Sequence, residues 1–117
     1  MNLSIREQSP FSRVRDALFG NNENYRQFQN ALNANPRAGA VIQGTGGARK
    51  VRWADRGRGK GKSGGIRVIY LYVEEFDTIL LLLAYNKQIP DLTPKQKQTL
   101  ELACKAFRSD LETGVTT

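Results

Sequence analysis

Apolar residues near the start of the chain recur at the spacing of one helical face. Three of them follow one another at i, i+3 and i+7, namely Phe11, Val14 and Leu18. Ser9 and Pro10 predict where this helix begins, with Ser9 as the N-cap and Pro10 at the first helical position. The residues before it, Leu3 to Arg6, are predicted to form a short strand.

A second helix is predicted between two groups of turn-forming residues. Gly20 to Asn22 ends the first helix and caps the second, and Asn35-Pro36 ends the second. The apolar face of this second helix consists of Tyr25, Phe28 and Leu32. Two consecutive helices of this kind are expected to form a hairpin that buries its apolar face against another layer.

The second half of the chain predicts three strands. The first, Arg49 to Ala54, alternates, with Lys50 and Arg52 on one side and Val51 and Trp53 on the other. We expect Trp53 to face the helices rather than to stack on a base.

Two longer runs of β-branched and aliphatic residues follow. Ile66 to Val73 and Thr78 to Tyr85 are predicted to be strands, joined as a hairpin by the polar segment Glu74 to Asp77. The stretch ILLLLA, from Ile79 to Ala84, has no polar face. This favours a central strand covered on both sides over the alternative of a buried helix.

A capping box predicts the start of the last helix, with Thr93 and Gln96 as its two members and Pro94 at the first helical position. The buried face of this helix is predicted to consist of Leu100, Ala103, Phe107 and Leu111. We therefore expect an α+β fold, a small antiparallel sheet with an N-terminal helical hairpin and a C-terminal helix, in the order β-α-α-β-β-β-α. Residues 1–112 are expected to form a single domain, with residues 113–117 as a flexible tail.

The distribution of charge changes this picture in one segment. The 117 residues include 18 Lys or Arg and 11 Asp or Glu, which give a formal net charge of +7. Eight of the basic residues but only one acidic residue lie between Arg49 and Arg67, so this segment carries the whole excess. A concentration of positive charge of this kind predicts an anionic partner.

The counts of histidine and cysteine limit the kinds of site that this protein can form. The chain has no histidine and a single cysteine, Cys104, which excludes an intramolecular disulfide and a cysteine-based zinc site. We expect Cys104 to be an inert apolar residue of the last helix. The start of the chain shows no secretory signal, and the longest apolar run is far shorter than the ~20 residues of a membrane-spanning helix. A cytoplasmic protein without metal or organic cofactor is the expectation.

Three stretches of the chain carry a resemblance to a known family. They read IQGTGGARKVRWA, RGKGKSGGIRVIYLYV and LLLAYNKQIPDLTPKQ. Together with the order of the elements, they resemble the RelE/ParE superfamily of toxin–antitoxin toxins, most closely its HigB-like branch of RelE toxins, from Leu3 to about Leu111. The resemblance implies a type II toxin that cleaves translated mRNA on the ribosome. It also implies neutralisation by a HigA-like helix-turn-helix antitoxin, and the toxin alone is expected to be a monomer.

Cleavage of RNA by its own 2′-hydroxyl needs a base, cations that stabilise the phosphorane, and an acid for the departing 5′-oxygen. In a chain without histidine these roles fall to Lys, Arg and Tyr. A lysine can act as the base where a neighbouring cation disfavours its charged form, and Lys50 has Arg52 as such a neighbour. Arginine is a poor proton carrier, so Arg52 is assigned to the phosphate.

The resemblance adds further candidate catalytic residues. Lys50 and Arg52 match the K-x-K strand of RelE, and Arg67 matches an arginine that contacts the scissile phosphate in that family. Lys87 falls at the position of another functional arginine. A RelE tyrosine is matched here by Thr93.

Tyr85 is therefore the nearest candidate to stack on a base, with Tyr70 and Tyr72 as weaker ones. HigB enzymes use histidine or acidic groups, which makes Asp91 a candidate as well. The alternative is that Asp91 only forms the turn before the last helix.

Glycines alternate with cations in the segment Asp55 to Gly65. The cations of this loop are Arg56, Arg58, Lys60 and Lys62. We expect the loop to bind phosphates of the ribosome or of the messenger RNA, with Arg49 as a further contact. The alternative is a solvated loop whose charges only increase solubility.

Two other functions of the protein also remain open, a ParE-like inhibitor of DNA gyrase and a non-catalytic RNA-binding module.

Overall fold

The computed structural model describes residues 2–54, 65–86 and 91–114. Its elements are β1 (Ser4–Glu7), α1 (Ser9–Phe19), α2 (Asn22–Ala34), β2 (Ala40–Val41), β3 (Arg49–Trp53), β4 (Ile66–Val73), β5 (Thr78–Asn86) and α3 (Pro94–Thr113). A short 3-10 turn, Glu74–Phe76, joins β4 to β5. The α+β class and the order of the predicted elements are confirmed, and β2 is an additional short strand.

The five strands form one mixed sheet in the order β1-β5-β4-β3-β2. Neighbours from β2 to β5 are antiparallel, whereas β1 runs parallel to β5. The sheet differs from the expected antiparallel one in β1, because α1 and α2 separate that strand from the rest of the sheet in the chain. Parallel neighbours need such a long connection, whereas antiparallel neighbours can be joined by a hairpin.

Local capping residues determine where α2 and α3 begin. The side chain of Asn21 accepts a hydrogen bond from the backbone N–H of Asn24 at 2.7 Å, which caps α2. At α3, Thr93 and Gln96 form both hydrogen bonds of the predicted capping box. Both predictions are confirmed.

The start of α1 differs from the prediction by one residue. Gln8, not Ser9, occupies the N-cap, and its carbonyl accepts hydrogen bonds from the N–H groups of Phe11 and Ser12. Pro10 consequently lies at the second helical position. Proline is tolerated there because the N–H groups of the first turn have no partner within the helix.

Helices cover the sheet on both sides. We call the side covered by α1 and α2 the hairpin face; its buried strand residues are Ile66, Val68, Tyr70, Ile79, Leu81 and Ala84. The opposite side, the α3 face, has Ile69, Leu71, Val73, Leu80 and Leu82 as its buried strand residues. The strand β5 thus contributes side chains to two cores, as its apolar run predicted.

The predicted packing of the helices is confirmed on both faces. On the hairpin face the ring of Phe28 lies 5.4 Å from that of Trp53 (between centroids), so Trp53 faces the helices. On the α3 face Leu100 and Cys104 are buried, and Ala103, Phe107 and Leu111 pack beside them. Burial raises the pKa of the Cys104 thiol to about 11, which keeps it protonated and unreactive at neutral pH.

A β-bulge in β5 shifts the alternation of its side chains. Ile69 pairs with Leu83 but Tyr70 pairs with Leu81, so Leu82 is an extra residue without a counterpart in β4. Leu82 and Leu83 consequently both contact the core of the α3 face. Beyond the bulge, Tyr85 points to the α3 face, whereas uninterrupted alternation would have placed it on the hairpin face.

Candidate active site

Three of the predicted site residues form a row across the sheet. Arg52 of β3 is directly opposite Arg67 of β4, which is in turn directly opposite Tyr85 of β5. Directly opposed residues point to the same face, with Cβ atoms about 4.5–5.5 Å apart. We call these three the Arg-Arg-Tyr row. This row lies on the α3 face, two residues along β4 and β5 from the pair Ile69 and Leu83.

Lys50 occupies the next position on the same side of β3. It pairs with Ile69, and its side chain shares the α3 face with Arg52, as the alternation predicted. Residues two apart on one strand are separated by about 6.6 Å, so Lys50 is an immediate neighbour of the Arg-Arg-Tyr row. The sheet thus brings together the four catalytic candidates that lie in the described ranges.

The two arginines of the row have few contacts of their own. An Nη1 donor of Arg67 reaches the Gly65 carbonyl at 3.3 Å. Within the described part of the chain, no hydrogen bond or ion pair involves the exposed guanidinium of Arg52. Like charges directly opposite each other destabilise a sheet, so the pair of arginines contributes nothing favourable to the fold unless an anion binds.

Asp91 approaches the same site from the start of α3. Its Oδ1 lies 3.9 Å from Nζ of Lys50, and its carboxylate is 98% exposed. Burial and the negative charge of Asp91 raise the pKa of Tyr85, while the positive charge of Arg67 acts in the opposite sense. The position of Asp91 fits both alternatives that the sequence left open. Asp91 lies in the turn before α3, and it also lies beside the candidate site.

Arg49 lies apart from these residues. It pairs with Tyr70, and its side chain is on the hairpin face of β3, opposite to Lys50 and Arg52. One of its Nη1 hydrogen bonds goes to the Gly39 carbonyl at 2.8 Å. This contact ties β3 to the segment that follows α2, so Arg49 has a structural role, and its contact with RNA stays a prediction.

Several predicted site residues lie outside the described residues. They are Lys87 and the loop cations Arg56, Arg58, Lys60 and Lys62. Residues 115–117 of the predicted tail lie outside them too, whereas α3 itself continues to Thr113.

Residue Lys97 was missed by the sequence reasoning. It lines a small cavity together with Lys50 and Asp91, across from β3. A signal for it did exist, because Lys97 precedes Leu100 by three positions and Cys104 by seven. It therefore lies on the same helical face as the residues of α3 that pack on the sheet.

The described residues contain no group of three or more His, Cys, Asp or Glu side chains placed to hold a metal ion. Across residues 2–54, 65–86 and 91–114, no helix has the length and apolar character needed to cross a membrane. The assembled side chains are suited to bind a phosphodiester through two guanidinium groups. A lysine and a half-exposed phenol beside them could contact the flanking ribose and base.

No protein-family model matches the sequence. Among solved structures, the chain is similar to a free-state mutant of the E. coli toxin RelE in which two arginines are replaced by alanine. The two sequences are 15% identical, the TM-score is 0.47, and the match covers 72% of this chain and 82% of that chain. A similarity at this level assigns no function.

Proposed function

We propose that this protein is the toxin of a type II toxin–antitoxin system, a ribosome-dependent endoribonuclease that cleaves translated mRNA. The observation that supports this most directly is the Arg-Arg-Tyr row with Lys50 beside it. Four residues from three strands converge on one face, although two of them, Arg52 and Arg67, repel each other. A bound phosphodiester would neutralise that repulsion.

In this proposal the scissile phosphate binds to Arg52 and Arg67. The 2′-hydroxyl gives its proton to Lys50 as its oxygen attacks phosphorus, the bond to the 5′-oxygen breaks, and that oxygen takes a proton from water. The products are a 2′,3′-cyclic phosphate and a 5′-hydroxyl. Charge on the phosphorane is greatest in the transition state, so two guanidinium groups bound to it stabilise that state more than the bound substrate. Arginine suits this role because its planar group donates two parallel hydrogen bonds to a phosphate.

Lys50 is assigned to the 2′-hydroxyl. Lys50 lies two positions before Arg52 on the same side of β3, which supports a role beside the phosphate rather than on it. The carboxylate of Asp91 lies 3.9 Å from the ammonium nitrogen of Lys50. Tyr85, at the other end of the row, is assigned to stacking on a base adjoining the scissile phosphate.

The proposed partners are those that the resemblance to RelE-type toxins implies. A ribosome-bound message would supply the anionic strand, and an antitoxin of the HigA-like helix-turn-helix type would block the toxin in the cytoplasm. The loop cations between residues 55 and 65 are proposed to contact further phosphates. Binding through about six phosphates would make the logarithm of the affinity fall with the logarithm of salt with a slope near −4.

The experiment that tests this function is cleavage of a translated message by the purified protein. Ribosomes programmed with a defined mRNA are incubated with the wild-type protein or with Arg67→Gln, and the new 5′ ends are mapped. Cuts in phase with the codons, seen with the wild type and missing with Arg67→Gln, support the proposal. An intact transcript contradicts it.

Two parallel measurements identify the alternatives. If plasmid DNA loses its negative supercoils in cells that express the protein and no message is cut, the protein is a gyrase inhibitor. If the protein binds RNA with a steep salt dependence and leaves it uncut, it is a non-catalytic RNA-binding module.

A further inference from the structure

A cavity of about 120 Å³ lies between β3 and the start of α3. Its lining consists of Ile42, Lys50, Asp91, Leu92 and Lys97. The two lysines and one aspartate give it a net positive charge, which favours an anion over a cation in this place.

The side chain of Lys97 passes close to the turn that precedes β3. Its Cδ lies 3.8 Å from the position that a Cβ on Gly44 would occupy. Gly44 has a φ of +82°, a conformation that favours glycine.

The cations of the α3 face and Lys97 can be matched to the groups of one nucleotide. The scissile phosphate is assigned to Arg52 and Arg67, and Lys50 lies about 6.6 Å from Arg52 along the strand. Lys97 and Lys50 line the same cavity. In RNA, the ribose whose 2′-hydroxyl attacks has the scissile phosphate on its 3′ side and another phosphate on its 5′ side.

We infer that Lys97 forms a second phosphate subsite, which binds the phosphate on the 5′ side of the attacking nucleotide. This inference rests on the proposed function. With phosphates held at both ends of the nucleotide, the ribose between them lies at Lys50. Lys97 is thus a positioning residue that aligns the 2′-hydroxyl with the scissile bond.

The test measures binding, which does not require cleavage. The ligand is a trinucleotide with two phosphodiester linkages and 2′-O-methyl groups that prevent reaction. In two further versions, either the 5′ or the 3′ linkage is an uncharged methylphosphonate. Affinities are measured by NMR titration for the wild type, Lys97→Gln, Lys97→Arg and Arg67→Gln.

We expect neutralisation of the 5′ linkage to weaken binding to the wild-type protein by about two- to fivefold, as for an exposed ion pair. Neutralisation of the 5′ linkage should not change the affinity of Lys97→Gln. In Lys97→Arg it should again weaken binding. Neutralisation of the 3′ linkage should weaken binding to the wild-type protein but should not change the affinity of Arg67→Gln. The two substitutions therefore couple to two adjacent phosphates.

The matched control is Lys105→Gln, which removes the same charge from an exposed position on α3, eight residues and about 12 Å further along the helix. It should leave both linkage effects unchanged. If Lys97→Gln behaves like this control, or couples to the 3′ linkage, the subsite is refuted. If both couplings are present but messages stay intact on ribosomes, the nuclease proposal fails and the subsite remains as part of an RNA-binding surface.

Discussion

The two faces of the sheet use polar residues in opposite ways. On the hairpin face, polar groups have partners within the protein. Asn24 accepts a hydrogen bond from the indole N–H of Trp53 at 2.9 Å, and the hydroxyl of Tyr70 donates to the Pro36 carbonyl at 2.8 Å. On the α3 face, Arg52 and Arg67 are directly opposed, and the carboxylate that lies 3.9 Å from Lys50, that of Asp91, is exposed.

The difference indicates which residues serve the fold. A buried polar group without a partner destabilises a protein, so the bonds of the hairpin face are needed for folding. Adjacent cations destabilise the sheet slightly, so the charges of the α3 face are best explained by a ligand. Four substitutions test this division.

The largest effect is expected where an aromatic residue is removed from the hairpin face. Phe28 is 1% exposed, and its ring packs between those of Phe19 and Trp53. Phe28→Ala should lower the free energy of unfolding by about 3–5 kcal/mol, because it creates a cavity. Chemical denaturation followed by circular dichroism measures this. A loss below 1 kcal/mol would mean that the hairpin face does not hold the fold together.

The second effect concerns activity rather than stability. Arg67→Gln should reduce the rate of mRNA cleavage by about 10²–10³-fold, the usual effect of removing a donor that stabilises transition-state charge. Its free energy of unfolding should stay unchanged or rise by a few tenths of a kcal/mol, since the repulsion with Arg52 disappears. Single-turnover cleavage on programmed ribosomes and a denaturation curve give both values. A fully active variant would remove Arg67 from the site.

The third effect tests the charged network of the hairpin face. Glu7 accepts hydrogen bonds from Ser12 at 2.6 Å, Arg15 at 2.8 Å and Tyr25 at 2.5 Å. Burial alone would raise the pKa of Glu7, but the three hydrogen bonds and the charge of Arg15 outweigh it and lower the pKa below 4.5. The stabilisation is therefore present above pH 4.5 and is lost as the pH falls through the lowered pKa.

Glu7→Gln should accordingly lower the free energy of unfolding by about 1–2 kcal/mol at pH 7 and reduce the decline of this free energy as the pH falls below 4.5. The matched control is Glu23→Gln, which breaks an exposed ion pair with Arg26 on α2. The control should change the pH dependence much less. Equal curves for the two variants would show that the Glu7 network contributes no more than an exposed pair.

The smallest effect is a change in the pKa of Tyr85. Asp91→Asn should lower this pKa, because the carboxylate that disfavours the phenolate is removed. Arg67→Gln should raise it, because a stabilising cation is lost. A carbon-13 NMR titration of the tyrosine Cζ resonances follows both changes. If neither substitution shifts the titration, Tyr85 does not share a site with Arg67 and Asp91.

Much of the fold was predictable because its signals are local. Asn21 caps α2 and Thr93 caps α3 through contacts between residues three apart. The alternation that separates Lys50 from Trp53 follows from strand geometry alone. These features need no knowledge of distant residues.

The site was predictable only in part. Lys50, Arg52 and Arg67 were found from charge and resemblance, and they do lie together. The separate position of Arg49 and the presence of Lys97 were missed, because each depends on a contact with a distant segment. For Lys97 the helical spacing from Leu100 was a usable signal.

The sequence alone determined which residues are charged, which strand face presents them and where the helices begin, since these depend on neighbours within one turn or two strand positions. Only the tertiary structure decided that Tyr85 joins Arg52 and Arg67. That depends on one extra residue, Leu82, in the pairing of β5 with β4. A bulge of one residue reverses the direction of every later side chain, and the register of two strands is set by packing on both faces rather than by either strand alone.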